Sequence, residues 1–410
     1  MTSSSRTDEE IARYRWLMSE DGGAVLAAVA AETAAGTPAL RLAERLRERF
    51  PPDLVALAMT QHDLRTRAAA KFGHADRMVF TREGLEQATS DVIARHRARR
   101  YAGCASIVDL CCGIGGDLMA LAALPGVARL TAVDRDPIHL LLAAANAAIV
   151  RPGLEVTTID ADVRDVGLAE VDAVFIDPAR RSTQGRLGGV ASEPPLSWAI
   201  RLAERVARVG IKSAPGIPHD LVPPDWELET IALGTDLKEA VLWSPALAAG
   251  NRTATVIDGA DVHQLRAVPG EAPGLRAPEA GDSLLDPNPA VTRAGLVEDL
   301  ARALGAAKID DEIGFLVTRE PVATPFARGL RVLASLPWHE KRVRAVLREL
   351  DAGPVDVRRR GLAGDVDAIT KRLRGTGSRR LTVAMTRVTG APWAILCEDG
   401  PGAHSTSMGR

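Results

Sequence analysis

The chain has 410 residues, of which 46% are hydrophobic and 25% are charged, and its formal net charge is −2. This composition is typical of a globular protein with two or three domains, and it excludes a fibrous or wholly disordered chain. The longest stretch without Asp, Glu, Lys or Arg is 137–150. A membrane-spanning helix needs about 20 apolar residues, so we expect no membrane partner.

The cysteines are few and form no CxxC pair or zinc-ligand spacing; they are Cys104, Cys111, Cys112 and Cys397. Three of them are too close together for a disulfide framework. The N-terminus also lacks the apolar core of a secretory signal. We therefore expect a reduced, cytoplasmic protein without a metal site.

Positive charge is concentrated in two segments. Residues 341–380 include twelve basic and five acidic residues, and residues 61–100 include nine basic and five acidic residues. Such segments favour a polyanionic partner. Solvated helix faces would produce the same pattern, so both interpretations stay open for either segment alone.

The first hundred residues are predicted to be helical. Apolar residues recur at spacings of three and four, as in Leu17, Val25, Leu26 and Val29. The Pro51-Pro52 pair interrupts this pattern, and 84–100 forms a last helix with a basic end. We assign residues 1–100 to a helical N-terminal domain.

Strands and helices alternate in the next part of the chain. Short apolar runs predict strands at 106–110, 129–134, 156–159, 172–177 and 209–213, with Ala-rich helices between most of them. This alternation predicts an α/β fold with a Rossmann-like parallel sheet. Runs at 226–232, 239–243 and 253–257 favour antiparallel strands added at one edge. This domain covers 101–260.

The last part of the chain forms a smaller module. Residues 261–290 are rich in Gly, Pro and Ala and are predicted to be a linker. A helix at 290–304 is followed by an alternation of strands at 331–336 and 354–359 with helices at 339–350 and 365–373. A hairpin formed by 381–387 and 393–397 ends the module. The pattern predicts a small α+β domain over 291–400.

The most informative motif is IVDLCCGIGGD, at 107–117. An apolar strand leads into a glycine turn that starts a helix, where Gly113 and Gly115 let the backbone approach a ligand closely. A dinucleotide site would need a third glycine at the position of Leu118. Asp117, in the first helical turn, would disfavour a pyrophosphate. The motif therefore predicts a ligand that is not a diphosphate.

Acidic residues mark the first four strands. Asp109 lies in the first strand, and Asp134 ends the second, where an acid can accept hydrogen bonds from ribose hydroxyls. Asp162 follows the third strand and is placed to accept a hydrogen bond from an adenine amino group, and Asp177 ends the fourth. Because open α/β sheets bind ligands at the carboxyl ends of their strands, these residues predict one site.

With these features, residues 107–213 resemble the class I S-adenosylmethionine-dependent methyltransferases. The resemblance implies that the chain uses S-adenosylmethionine as its cofactor. It also implies that the first motif bounds the amino-acid end of the cofactor, that Asp134 holds its ribose and that Asp162 contacts its adenine. The candidate cofactor-binding residues are Asp109, Cys112, Gly113, Gly115, Asp134 and Asp162.

The chain as a whole is similar to an uncharacterised bacterial group of this class. The DLCCGIGG stretch resembles RNA methyltransferases, including trimethylguanosine synthase-like enzymes, and the segment FTREGLEQAT at 80–89 occurs in the bacterial group. That group has a C-terminal THUMP-like, ferredoxin-like module. Because THUMP modules in related enzymes bind RNA, the resemblance implies tRNA or rRNA as a partner.

The motif after the fourth strand constrains the reaction. Enzymes that methylate exocyclic amines usually have a proline and an aromatic residue where this chain has Ala179 and Arg180; an arginine can also stack on a base. The motif also resembles that of RNA uridine C5-methyltransferases. Those enzymes have a nucleophilic cysteine in a turn after the fifth strand, and Ala214 stands in its place here. We therefore expect direct in-line transfer without a covalent cysteine intermediate. The candidate catalytic residues are Asp177, Pro178, Arg180 and Lys212.

Two alternatives to an RNA methyltransferase stay open from the sequence. The missing aromatic residue at position 180 is compatible with a non-catalytic RNA-binding protein on a methyltransferase scaffold. A small-molecule methyltransferase is also compatible, although the basic segments and the extra module count against it. Leu118 and Asp117 disfavour a nicotinamide-dependent oxidoreductase.

Overall fold

The computed structural model describes residues 3–179, 181–182, 185–186 and 192–400, with side chains for 7–179 and 192–400. The chain forms two compact units. The first is Met1–Trp226 with Val241–Ala249, and the second is Glu227–Ala240 with Gly250–Arg410. This division does not test the domain boundaries expected from the sequence, which remain predictions.

The first unit begins with helices, as predicted. Ser19 accepts a hydrogen bond from the amide of Gly22 and so caps the second helix, and Pro52 occupies the first turn of the fourth. These helices are α1 (Ser3–Leu17), α2 (Glu20–Ala34), α3 (Ala39–Arg47), α4 (Pro52–Ala68), α5 (Arg82–Gln87) and α6 (Asp91–Ala98).

A parallel sheet follows, and its strand order is β7-β4-β1-β2-β3. Its strands are β1 (Ser106–Leu110), β2 (Arg129–Asp134), β3 (Val156–Asp160), β4 (Ala173–Ile176) and β7 (Arg208–Ser213); a separate two-stranded ribbon consists of β5 (Arg181–Ser182) and β6 (Gly185–Arg186). The helices of this part are α7 (Gly116–Ala122), α8 (Pro137–Val150) and α9 (Leu196–Arg201), with 3₁₀ turns at Arg99–Tyr101, Val163–Asp165, Leu202–Glu204 and His219–Leu221.

The register of this sheet aligns the ends of its strands. Leu110 is paired with Val133 on β2 and with Ile176 on β4, and Ile176 is paired with Ile211 on β7. The residues that follow these positions are therefore at one level: Cys111, Asp134, Asp177 and Lys212. The strand order reverses between β1 and β4, and open α/β sheets bind ligands at such a switch point.

The N-terminal helices share a hydrophobic core with α7 and α8. Phe80 and Leu85 belong to the same buried cluster as Met119. Asn146 on α8 is fully buried, and its side-chain amide joins the two parts: it accepts a hydrogen bond from the amide of Val79 at 2.9 Å and donates to the carbonyls of Val79 and Ile114 at 3.0 and 2.9 Å. The segment before α5 is thus fixed against the glycine turn.

The second unit consists of further strands and four described helices. Strand β9 is divided, with its first five residues in this unit and its last three in the first. The strands are β8 (Glu227–Leu233), β9 (Asp236–Trp243), β10 (Arg252–Asp258), β11 (Asp261–Arg266), β12 (Ser283–Pro287), β13 (Ala307–Lys308), β14 (Leu316–Thr318), β15 (Ala327–Pro337), β16 (Ala352–Arg359), β17 (Arg379–Val388) and β18 (Ala391–Asp399); the helices are α10 (Pro289–Ala294), α11 (Val297–Leu304), α12 (Glu340–Glu349) and α13 (Val366–Leu373).

Four details differ from the sequence expectations. The helix expected at 84–100 is divided into α5 and α6, because the backbone at Ala88 and Ser90 is extended. Strand β10 pairs with β8 in parallel, not antiparallel. The chain reverses direction after Gly234 and runs back along β9 before β10 begins, so β10 has the same direction as β8. The segment 261–290, expected to be a linker, contains β11 and β12. The helix expected at 290–304 is divided into α10 and α11 by Gly295, whose φ is 69°.

The C-terminal module has the predicted succession of two strand–helix units and a hairpin. Its strands belong to a sheet of order β13-β14-β12-β15-β18-β17-β16. Val343 and Leu347 of α12 pack with Ile369 and Leu373 of α13 on the sheet in one buried cluster. The predicted fold class, an α/β protein with a helical N-terminal part and a small α+β module, is confirmed.

Candidate active site

The glycine turn after β1 combines open backbone with one tight contact. Gly113 and Gly115 have φ values of 52° and 85°, which favour glycine. A Cβ on Gly115 would lie 2.8 Å from the Cα of Ala143 on α8, whereas a Cβ on Gly113 would meet no atom within 4 Å. Gly115 therefore lets α7 pack against α8, and Gly113 leaves space beside the turn for a ligand.

Asp134 connects the end of β2 to this turn. Its carboxylate accepts hydrogen bonds from the amide of Gly113 at 2.9 Å and from the amide of Asp136 at 3.0 Å. His139 Nδ1 lies 3.9 Å from Asp134 Oδ1. The carboxylate is thereby held at the switch point, beside the space that Gly113 leaves open.

Asp109 is a buried carboxyl group without a protein partner among the described residues. Its side chain belongs to a residue that is 1% exposed, and neither of its oxygens has a hydrogen-bond partner there. Burial, together with the nearby Asp117 and Asp177 carboxylates, raises the pKa of Asp109 well above its ordinary value. Such a group can accept a hydrogen bond from a cationic ligand.

Asp117 forms a buried ion pair with Arg97 of α6. Arg97 Nη2 lies 2.5 Å from Asp117 Oδ1. The guanidinium carbon of Arg97 also lies 4.8 Å from the centre of the Phe175 ring. Burial raises the pKa of Asp117, while Arg97 and Lys212 oppose that rise. Arg97 was not among the predicted site residues, because nothing in the sequence relates α6 to the start of α7.

Asp177 and Lys212 are brought together at the ends of β4 and β7. Lys212 Nζ lies 2.5 Å from Asp177 Oδ2 and also donates to the hydroxyl of Thr89 at 3.1 Å. Pro178 is buried next to them. The remaining predicted residue, Arg180, lies outside the residues whose side chains the structure describes.

Asp162 is located at the end of β3 within an ionic cluster. Arg164 donates to both of its oxygens, at 2.9 and 2.7 Å, and Arg135 also contacts it. Both arginines also approach Glu193, at 2.9 and 3.5 Å. The hydrogen bonds from Arg164 hold the pKa of Asp162 well below its usual range, so this carboxylate is an acceptor only.

The thiols of the turn are not poised as nucleophiles. Burial, followed by the nearby Asp134 carboxylate, raises the pKa of Cys111, and burial likewise raises that of Cys112. Within the part of the chain that the structure describes, no group of three or more His, Cys, Asp or Glu side chains could hold a metal ion. In the same residues, no helix has the length and apolar character needed to span a membrane.

The charges of the site favour a cationic ligand. Among the described side chains around the ends of β1, β2 and β4, the carboxyl groups of Asp109, Asp117, Asp134 and Asp177 outnumber the cationic groups of Arg97 and Lys212. A pyrophosphate would add to this negative charge, whereas a ligand with positive groups would offset it. The described charges therefore favour a ligand with positive groups over a diphosphate.

Comparison with known proteins identifies the family of the chain. Residues 327–399 match the THUMP domain-like family, and residues 10–68 match a domain of unknown function, DUF8688. An uncharacterized S-adenosylmethionine-dependent methyltransferase of Mycobacterium tuberculosis strain CDC 1551 / Oshkosh is 37% identical over 337 residues, which are 79% of this chain and 90% of the relative. Its counterpart in strain ATCC 25618 / H37Rv matches equally. The chain belongs to the S-adenosylmethionine-dependent methyltransferases, and S-adenosylmethionine is its cofactor.

A solved structure shares the fold over most of the chain. A candidate methyltransferase from Porphyromonas gingivalis W83 superimposes with a TM-score of 0.69 over 86% of this chain and 92% of its own length. The two sequences are 17% identical, so the likeness concerns the fold. The predicted recognition as a methyltransferase with a C-terminal THUMP-like module is confirmed.

Proposed function

We propose that this enzyme methylates RNA, a tRNA or rRNA, on a nucleobase nitrogen or a ribose hydroxyl by direct in-line transfer. The cofactor supplies an electrophilic methyl group when it is bound, so the chain itself must position the two partners and accept a proton. The residues that would do so lie at the carboxyl ends of β1, β2, β3, β4 and β7.

The residues of the first three strand ends fit the cofactor. Asp109, whose buried oxygens have no partner among the described side chains, would accept the amino group of the cofactor. The turn from Cys112 to Gly115 would border its amino-acid end, and Asp134 would accept hydrogen bonds from the ribose. Asp162 would accept the adenine amino group at the edge of its arginine cluster.

The Asp177–Lys212 pair would act on the methyl acceptor. Lys212 contacts Oδ2 of Asp177, and Oδ1, which has no hydrogen-bond partner among the described residues, would accept a hydrogen bond from an N–H or O–H group. Lys212 offsets the charge that Asp177 would otherwise add to the acidic site. The high pKa of both turn cysteines supports a mechanism without a covalent cysteine intermediate.

The observation that carries the RNA assignment is a set of cations on α12, on α13 and at the residue that follows α13, which we call the basic helix face. These side chains are exposed, and none has an ion-pair partner among the described residues: Lys341, Arg342, Arg344, Arg348, Lys371 and Arg374. Most other arginines of the module do have one, as in Arg360–Asp286, Arg379–Glu398 and Arg380–Asp356. Exposed cations without acidic partners among the described residues, on two neighbouring helices, favour binding of a phosphate backbone.

RNA binding at varied salt tests the proposal. We expect bulk tRNA or rRNA to bind at low salt, and the triple variant Lys341→Glu/Arg344→Glu/Arg348→Glu to reduce the slope of log affinity against log salt by about 2 to 3. A control variant with the same change in charge is Arg15→Glu/Arg41→Glu/Arg47→Glu, which should retain the slope. Transfer of tritiated methyl groups from S-adenosylmethionine to the same RNA tests the reaction. An equal loss in both variants, or transfer to small molecules alone, would contradict the proposal.

A further inference from the structure

The N-terminal helical region contributes a side chain to the methyl-acceptor end of the site. Thr89 belongs to the segment between α5 and α6 and is 8% exposed. Its hydroxyl accepts a hydrogen bond from Lys212 Nζ at 3.1 Å, and the same nitrogen lies 2.5 Å from Asp177. A hydroxyl from the helical region thus ends a chain of polar contacts that leads to the candidate catalytic carboxylate.

The position of Thr89 is fixed from two sides. Lys71 Nζ donates to the carbonyl oxygens of Leu85, Glu86 and Ala88 at 2.9, 3.4 and 3.4 Å, which satisfies the end of α5. On the other side, a Cβ on Gly116 would lie 3.4 Å from the carbonyl oxygen of Thr89. The Thr89 backbone is therefore in close contact with the first residue of α7.

We propose that Thr89 is a positioning residue, whose hydroxyl holds the Lys212 ammonium group against Asp177 and so fixes the orientation of the carboxylate that receives the methyl acceptor. Lys212 is only 10% exposed in its side chain, so water does not readily replace a lost partner. The helical region is then part of the active site and not only a cover for the sheet. This inference rests on the roles proposed above for Asp177 and Lys212.

Acetylation of lysines, followed by mass spectrometry, tests the contact without any RNA. The chain has only six lysines, so each can be followed separately. In Thr89→Val, which keeps the shape but removes the hydroxyl, we expect Lys212 to react about three- to tenfold faster with acetic anhydride than in the native enzyme. In Thr89→Ser, which keeps the hydroxyl, the rate should stay at the native value.

Two controls distinguish this effect from unfolding. Lys308, which is 9% exposed and paired with Glu298, should react at an unchanged rate in every variant. Thr66→Val removes a hydroxyl that bonds to the carbonyl of His62 instead, and it should leave Lys212 unaffected. An unchanged Lys212 rate in Thr89→Val, or an equal rise in Thr89→Ser, would overturn the proposal.

Methyl transfer gives the functional measurement. With an RNA acceptor, Thr89→Val should lower kcat about tenfold or more while the KM for S-adenosylmethionine stays within about twofold, and Thr89→Ser should restore kcat. A rise in that KM with unchanged kcat would contradict a positioning role. If no RNA accepts the methyl group, the RNA assignment fails, but the acetylation rates still decide whether Thr89 holds Lys212.

Discussion

Arg97 and Asp117 form a buried ion pair that joins the helical region to the start of α7. The Arg97 side chain is 1% exposed, and one of its guanidinium nitrogens lies 2.5 Å from the Asp117 carboxylate. This pair offsets the charge of one carboxyl group of the site. It also connects α6, which precedes the sheet, to the helix that the glycine turn begins.

Loss of Arg97 should destabilise the enzyme strongly. Arg97→Met leaves the Asp117 charge buried without its partner, and we expect a loss of about 3–5 kcal/mol in the free energy of unfolding. The double variant Arg97→Met/Asp117→Asn should recover part of this loss. Urea unfolding followed by circular dichroism measures both changes.

Arg95 provides the control on the same helix. Its side chain is 56% exposed, and it lies 3.8 Å from Asp91. Arg95→Met should change the free energy of unfolding by less than about 1 kcal/mol, because exposed pairs contribute little. Equal losses for Arg95→Met and Arg97→Met would show that the buried pair has no special role.

The site residues that could be predicted from the sequence are those whose position depends only on the strand that they follow. Asp134 and Asp177 directly follow apolar runs, and parallel strands in register bring such ends to one level. Thr89 and Arg97 were not predicted, because their contacts join segments that are 123 and 20 residues apart. Periodicity describes one element at a time and contains no information on which distant side chain meets it.

The same reason explains the arginines around Asp162 and the direction of β10. Arg135 is adjacent to Asp134 in the sequence, but its contact with Asp162 depends on the pairing of β2 with β3. A short connection predicts that neighbouring strands are antiparallel, but β10 is paired with β8, which is not the preceding strand. Predicting the Arg135–Asp162 contact or the direction of β10 would have required knowledge of which strands pair in the folded protein.

Gly115 should be required for both stability and cofactor binding. Alanine there would combine an unfavourable φ of 85° with a contact of 2.8 Å to Ala143, so we expect a loss of about 2–5 kcal/mol. We also expect the affinity for S-adenosylhomocysteine to fall at least about tenfold, because the turn must shift. Urea unfolding and isothermal titration measure the two effects.

Gly126 is a control position that distinguishes the effect of backbone strain from the effect of a steric clash. Its φ is 87°, but a Cβ there would meet nothing within 4 Å. Gly126→Ala should therefore cost about 1–2 kcal/mol and leave cofactor affinity unchanged. If the two alanine variants had the same stability and affinity, the packing of Gly115 on α8 would not matter.

Cofactor binding should depend on pH through Asp109. Because its pKa is raised in the free enzyme, the carboxyl group retains a proton at pH values where an ordinary aspartate is ionised. A bound ammonium group favours the ionised form, so binding releases a proton and affinity rises with pH until the free enzyme is itself ionised. Isothermal titration with S-adenosylhomocysteine in buffers of different ionisation enthalpy measures this release.

The isosteric variant Asp109→Asn is the reference for that measurement. It cannot ionise, so it should bind the ligand more weakly and release no proton at this position. Proton release of equal size in Asp109→Asn and in the native enzyme would assign the effect to another group.

The binding of S-adenosylhomocysteine by Asp134 variants tests the proposed site most directly. Isothermal titration should give micromolar binding for the native enzyme and for Asp160→Asn, which changes an exposed acid one strand away, paired in register with Asp134. Asp134→Asn should lose at least about 2 kcal/mol of binding free energy, because a charged acceptor of ribose hydroxyls is removed. Native affinity in Asp134→Asn would show that the cofactor binds elsewhere on the enzyme.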